Sequence, residues 1–294
     1  MRCDKCRKTS VIHQPYSGLH LCRDHFIADF EAKAKRAIRT HGWLSRGDHI
    51  AVDLSGGAAG SALLHFLLQL VGRRRDITLS AIIIQDRSLG NERSSEARAF
   101  AESAGVSCIS VSFAEEYGIS PADIGREHGV YGLEILRRSL LHRVARKQGI
   151  SRLALGTSID EEAESVLAQV LSGTPDRLLP VPKEATGPVS EIRPFMYALS
   201  EEIAMYSRLA TGMDIPEPYL PAGDVFASDV RGLLHEYSLS HPSAPYSLVS
   251  LREQLAAPGM PVQDAIHVCQ TCGSLYFDAC TACRILAEVR CHAT

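Results

Sequence analysis

Nine cysteines fall in this 294-residue chain, and eight of them stand near its two ends. Cys3-Asp4-Lys5-Cys6 is followed by Cys22-Arg23-Asp24-His25, and Cys269-Gln270-Thr271-Cys272 by Cys280-Thr281-Ala282-Cys283. Two residues between ligands let one tight turn present both donors to a single ion, and two such turns complete a tetrahedron. Cys3, Cys6, Cys22 and His25 therefore read as one structural zinc site, and Cys269, Cys272, Cys280 and Cys283 as a second with no open catalytic position. The alternative is that the paired thiols are redox-active or merely buried. Cys291 is left over, and Cys108, in "VSCISVSF", is expected to be a buried, inert thiol. A different chemistry is written in "DLSGGAAGSALLHFL", residues 53–67. An apolar strand runs into Ser55-Gly56-Gly57, and a helical pattern follows from Ser61. This layout suits an anion held by backbone N–H groups at a helix N-terminus. Where charged or polar side chains would assist, the chain has Ala58, Ala59 and Gly60.

The elements that must position these groups alternate. Strand-like runs at 48–54, 77–86, 106–113 and 151–156 are separated by helical patterns at 61–71, 92–104, 132–148 and 160–171. Further helices are expected at 26–41, 200–212, 226–236 and 247–256, and 174–194 reads as loop because of its five prolines. Such alternation predicts an α/β fold: a Rossmann-like parallel sheet with helices on both faces, flanked by N- and C-terminal zinc fingers. Ligands would bind at the carboxyl ends of the strands, where the loops after 54 and 155 both lie. The expected divisions are an N-terminal finger at 1–27, the α/β domain at 28–215, a helical extension at 216–264 and a C-terminal knuckle at 265–294.

Composition narrows the classes. The hydrophobic fraction of 45% and charged fraction of 22% are those of a soluble globular protein. No apolar run reaches the roughly 18 residues of a membrane span, so a cytosolic protein without membrane contact is expected. The net charge of −3 gives no general electrostatic case for nucleic acid. The basic clusters Arg73-Arg74-Arg75 and Arg137-Arg138 with Arg143, Arg146 and Lys147 read first as solvated helix faces.

Taken in order, the finger, the Ser-Gly-Gly turn, "LRRSLLHRVARKQGISRLALGTSIDEEAESVLAQVLSG", "EIRPFMYALSEEIAMY" and the terminal four-cysteine knuckle resemble the PP-loop ATPase family that makes 2-thiouridine in tRNA, in its archaeal and cytosolic branch with two zinc fingers. The resemblance spans nearly the whole chain and implies an adenine nucleotide alpha hydrolase-like fold. It also implies a reaction in which the uridine C2 oxygen attacks the α-phosphate of ATP, pyrophosphate leaves, and sulfur displaces AMP. On matching positions Ser55, Gly56, Gly57, Ser61, Gly156, Asp160 and Glu161 would hold nucleotide and magnesium, and Arg137 and Arg138 would face RNA. Asp160 is equally an ordinary favourable charge at a helix N-terminus.

The chain departs from that pattern at three places. The family loop reads Ser-Gly-Gly-Lys-Asp-Ser, and here it is Ser55-Gly56-Gly57-Ala58-Ala59-Gly60. The second motif, Gly-His-Asn-x-Asp-Asp-Glu-Ala in the family, here reads Gly156-Thr157-Ser158-Ile159-Asp160-Glu161-Glu162-Ala163. The family's sulfur-handling cysteines are replaced by "EHGVYGLEILRR" and by Glu217-Pro218-Tyr219, and no cysteine lies between 109 and 268. The expectation is a non-catalytic or weakly active subunit acting with tRNA and an active paralogue or a second copy. It would carry zinc at two sites, bind ATP with magnesium weakly at most, and hold no iron–sulfur cluster. Two rivals stand beside it. One is an active ATP-dependent tRNA 2-sulfurtransferase fed by an external sulfur carrier. The other is a zinc-braced nucleotide-binding regulator unrelated to tRNA.

Overall fold

The computed structural model describes residues 1–54, 57–85, 91–173, 178, 189–212, 225–255, 267–269, 271–272, 275–276 and 279–292. In chain order the elements are β1 (Ile12–Gln14), β2 (Leu19–Leu21), α1 (Arg23–His41), β3 (His49–Asp53), α2 (Ala58–Val71), β4 (Thr78–Gln85), α3 (Asn91–Ser103), β5 (Ser107–Ser112), α4 (Phe113–Tyr117), α5 (Pro121–Lys147), β6 (Arg152–Ala154), α6 (Ile159–Leu171), β7 (Ser190–Ile192), α7 (Ser200–Thr211), α8 (Val225–Ser240), α9 (Ala244–Leu255), β8 (His267–Val268), β9 (Leu275–Tyr276) and α10 (Thr281–His292).

Five strands pair in parallel in the order β5-β4-β3-β6-β7. Strands buried on both faces read as continuous apolar runs, as "IAV" and "AIII" do here. Ile50, Val52 and Leu54 point into a core shared with Phe26 and Phe30 of α1, Leu63 and Phe66 of α2, Ala97 and Ala101 of α3, and Tyr206 of α7. Ala51, Ile82 and Ile84 join the opposite core with Leu136, Leu140 and Val144 of α5 and Ile285 and Val289 of α10. A third, smaller cluster joins α6 to α8 and α9 through Ile159, Ala163, Leu234 and Val249.

The chain runs outward from β3 to β5 and returns to place β6 on the other side of β3. The order therefore reverses between β3 and β6, and the loops at their carboxyl ends face one another across that switch point. At the chain ends, the antiparallel hairpins β1-β2 and β8-β9 carry the two cysteine-rich modules.

Three elements differ from the sequence-based reading. The helix expected from 132 begins at Pro121, where Ser120 and Asp123 form a capping box, and it bends at Gly129 (φ 62°, ψ −162°). The stretch 174–194, read as loop, contributes the edge strand β7. Helix α2 starts at Ala58, so Ala58-Ala59-Gly60 form its first turn.

Candidate functional site

Each terminal quartet converges. All four ligand atoms of Cys3, Cys6, Cys22 and His25 lie within 4.8 Å of one another, as do those of Cys269, Cys272, Cys280 and Cys283. The Sγ atoms of Cys6 and Cys22 are 3.5 Å apart, those of Cys272 and Cys280 3.3 Å, and those of Cys269 and Cys283 3.6 Å. A tetrahedron with metal–sulfur bonds of about 2.3 Å has edges near 3.8 Å, so both cages are close to the size a metal needs. Burial raises the thiols of Cys3 and Cys269, but backbone N–H groups, of Cys22 and Lys5 at the first and of Cys272 and Thr271 at the second, together with neighbouring ligand side chains outweigh it and bring each down to about 6. A ligand held as thiolate is the form a metal binds.

Both modules are bolted to the α/β body. In the first, Gln14 Nε2 and the Tyr16 hydroxyl each donate to Glu202 Oε1 of α7 at 2.6 Å, and Lys33 adds a 3.1 Å ion pair. In the second, Arg146 of α5 donates to the Cys272 carbonyl at 2.8 Å, and Arg290 donates to the Tyr117 carbonyl at 2.8 Å.

At the switch point the described residues begin with Gly57, since Ser55 and Gly56 lie outside them. Gly57 caps α2 in extended conformation (φ −93°, ψ 167°) without a side-chain hydrogen bond. Ser61 is buried and its hydroxyl donates back to the Gly57 carbonyl at 3.4 Å. Close approach of backbone explains two small residues here. A Cβ on Gly60 would meet the Asp53 carbonyl oxygen at 2.8 Å, and one on Gly156 would meet Ala59 at 2.9 Å. The loop after β6 thus rests directly on the first turn of α2.

The two acids expected to face magnesium are engaged elsewhere. Asp160 Oδ2 accepts from the Ser200 backbone N–H at 2.7 Å and from its hydroxyl at 2.9 Å. Glu161 closes a capping box, accepting from the Ser158 N–H at 2.8 Å while Ser158 Oγ accepts from the Glu161 N–H at 3.2 Å. The segment around Glu217 lies outside the described residues.

Arg137 and Arg138 are also committed within the chain. Arg137 pairs with Asp53 at the end of β3, and Arg138 pairs with Glu191 of β7. His142 Nε2 lies 2.7 Å from Glu191 as well, and Arg193 bridges Glu191 to Glu162, which also holds Arg252 of α9. Burial opposes ionisation of Glu191 and Glu162. The guanidinium groups around them nonetheless hold both carboxyls below the ordinary carboxylate range, Glu191 well below it. The rest of the α5 cluster follows suit, with Arg143 and Lys147 both on Glu116. The solvated helix face expected for these cations is instead a set of intramolecular ties. Arg73-Arg74-Arg75 sits in the turn between α2 and β4, with Arg74 paired to Asp76. Apart from the Glu191–Arg193 pair, two residues apart, the partners of Asp53, Glu162, Glu191, Arg193 and Arg252 lie 31 to 90 residues away, so no local spacing singles these residues out in the sequence.

No helix among the described residues is long and apolar enough to cross a membrane. The N-terminal LIM domain family of 2-thiouridine synthetase TtuA matches residues 2–27. The tRNA 2-thiolation protein NcsA of Haloferax volcanii is 27% identical over 98% of this chain and 99% of its own length. Cytoplasmic tRNA 2-thiolation protein 1 of Drosophila grimshawi is 26% identical over 96% of this chain and 86% of its own length. Among solved structures, the U34-tRNA thiolase NcsA from Methanococcus maripaludis with its [4Fe-4S] cluster superposes with a TM-score of 0.81. It shares 23% identity over 96% of this chain and 95% of that one.

That structure corrects the cofactor expectation. A protein of this fold carries a [4Fe-4S] cluster, so zinc alone with no iron–sulfur cluster does not stand as the metal inventory. Convergent thiolates serve zinc and iron–sulfur clusters alike, and ligand spacing does not choose between them. Among the described residues, the terminal quartets are the two places where such donors are assembled.

Proposed function

The chain belongs to the TtuA/NcsA family of tRNA 2-thiolation proteins, and from that premise we propose that it serves thiolation as a non-catalytic or weakly active subunit beside a homologous, active chain. The observation that carries this reading is the first turn of α2, Ala58-Ala59-Gly60, at the sheet's switch point. Activating a uridine oxygen with ATP leaves charge on a departing pyrophosphate, and a preorganised cation or donor must meet it. The side chains of Ala58 and Ala59 offer neither, and losing one such group commonly costs about 10²- to 10³-fold in rate. Asp160 and Glu161 each commit one carboxylate oxygen, to Ser200 and Ser158 respectively.

Sulfur transfer is the stricter requirement, because a persulfide needs a thiolate. Between residues 26 and 268 the sequence offers only Cys108. It stands near the start of β5, two strands from β3 and so about 10 Å to the side, and at the amino rather than the carboxyl end of the sheet. Burial pushes its thiol up, which weakens it as a nucleophile.

A second reading, a working enzyme supplied by an external sulfur carrier, is favoured by one feature. Gly57 leaves the N-terminus of α2 without a side-chain cap, so backbone N–H groups stay available to an anion. The regulator unrelated to tRNA is displaced by the family membership. Mass spectrometry of nucleosides from digested tRNA separates the two remaining readings. The chain alone should make no 2-thiouridine with ATP and a sulfide or carrier-bound sulfur source, and it should raise the yield of a cysteine-bearing homologue from the same organism. Thiolation by the chain alone would overturn the proposal in favour of the working enzyme.

A further inference from the structure

Strand alternation turns Ala51 and Asp53 toward α5, while Ile50, Val52 and Leu54 face α1 and α2. Asp53 is therefore a carboxylate at the carboxyl end of the central strand, two positions before Ser55 of the Ser-Gly-Gly sequence. It is only 7% exposed. One of its oxygens pairs with Arg137, and the other, Oδ1, is buried with no hydrogen-bond partner among the described residues. Its main-chain oxygen touches the first turn of α2, as the 2.8 Å approach to Gly60 requires.

Arg137 is the cation paired to Asp53 at this crevice, with 22% of its side chain exposed. Burial works against its charge, and Asp53, Glu134 and Glu161 together more than offset that. Two carboxylates, Asp53 and Glu134, thus flank one guanidinium at the place where the helix N-terminus and the reversal of strand order would otherwise favour a phosphate. Among the described groups acting on Arg137, negative charge prevails, and the guanidinium already has an anion.

We propose that Asp53 is a resident anion that takes, on Arg137, the place a substrate phosphate would need, so that the crevice between β3 and β6 excludes polyphosphates by its own charge. This deepens the reading of the site as non-catalytic and rests on it. It adds that the exclusion is imposed by a side chain present, beyond the side chains missing from the loop. An electrostatic exclusion of this kind is reversible by one substitution and is screened by salt.

Calorimetry on the full metal-loaded chain, with ATP–magnesium and with inorganic pyrophosphate as separate titrants, tests it. Asp53→Asn keeps the shape of the side chain and removes the charge. It should bind pyrophosphate at least about tenfold more tightly than the parent chain at low salt, with the gain shrinking between about 50 and 500 mM salt. Asp53→Asn/Arg137→Gln should lose that gain. A similar gain with ATP would mean that the crevice admits a nucleotide, and a gain confined to pyrophosphate that it admits only the bare anion; either supports the exclusion. Should Asp53→Asn fail to fold by circular dichroism, Asp53→Ala is read in the same way. A folded variant with parental affinity for both titrants, or a gain that survives loss of Arg137, overturns the proposal. These outcomes compare variant with parent and are independent of whether the parent thiolates tRNA, so failure here is distinguishable from failure of the reading above.

Discussion

Glu191 is the residue on which the most charge converges. It is held by Arg138, His142 and Arg193, and through Arg193 it joins Glu162 and Arg252. A carboxyl whose folded pKa lies below its ordinary value of 4.5 contributes stability that is fully present above that pH. The contribution is lost as pH falls through the folded value. Glu191→Gln should cost about 3 kcal/mol at pH 7, since it removes the buried anion shared by Arg138, His142 and Arg193. Urea unfolding of parent and variant should give curves that converge as pH is lowered from 5 toward 3. A gap that stays constant across that range would show that Glu191 is not the ionised member. At this scale the sequence is uneven. The metal ligands are legible because each knuckle spans four residues. The Glu191 network is not, because Arg138 is 53 positions from Glu191 and Arg193 is 31 from Glu162.

Among elements, the contact between β3 and α2 is the tightest near the candidate site. Gly60 lies where a Cβ would press on the Asp53 carbonyl at 2.8 Å and on the Leu54 Cα at 3.3 Å, and both are backbone atoms of a central strand that cannot yield. Gly60→Ala should therefore destabilise the chain by about 1 to 3 kcal/mol despite its better helix propensity, read as a lowered midpoint in thermal unfolding. An unchanged or raised midpoint would mean that the turn relaxes. The alternation of strands and helices was readable because β3 and β4 are apolar on both faces and the helices between them carry a 3.6-residue period. The first half of α5 was not, because Gly125, Gly129 and Gly132 punctuate it, although the Ser120-Pro121-x-Asp123 cap was a usable start signal. Strand β7 is three residues long and gains its partner only from β6, so no local pattern announces it.

For the whole molecule, the cysteine quartets and the family resemblance were legible from order and spacing, while the choice of metal was not, because a thiolate cage does not encode it. The C-terminal module is small, and its buried contacts with α5 rely on Cys269, Cys272, Ile285, Leu286 and Val289. Cys272→Ser should release about one metal centre per chain, since three remaining ligands hold a structural site poorly. Elemental analysis for both zinc and iron, with limited proteolysis of the region from 267 to 292, checks this. Full retention of metal with unchanged protection of α10 would show that the module folds by packing alone.

The joint between Gln14 and Glu202 spans 188 positions of the chain, and Glu202 is buried with both oxygens engaged. During synthesis, which proceeds from the amino end, the first module can close on its metal as soon as His25 emerges. Its docking surface on α7 does not yet exist. Contacts of such separation add loop-closure entropy before they return any stability, and they form late. The N-terminal module is therefore able to fold before the sheet is complete, yet it is among the last parts to be seated. Until α7 arrives, Gln14 and Tyr16 on a nascent chain lack their bonds to Glu202, and a chain released before residue 202 would leave them with only their α1 partners Asp29 and Lys33.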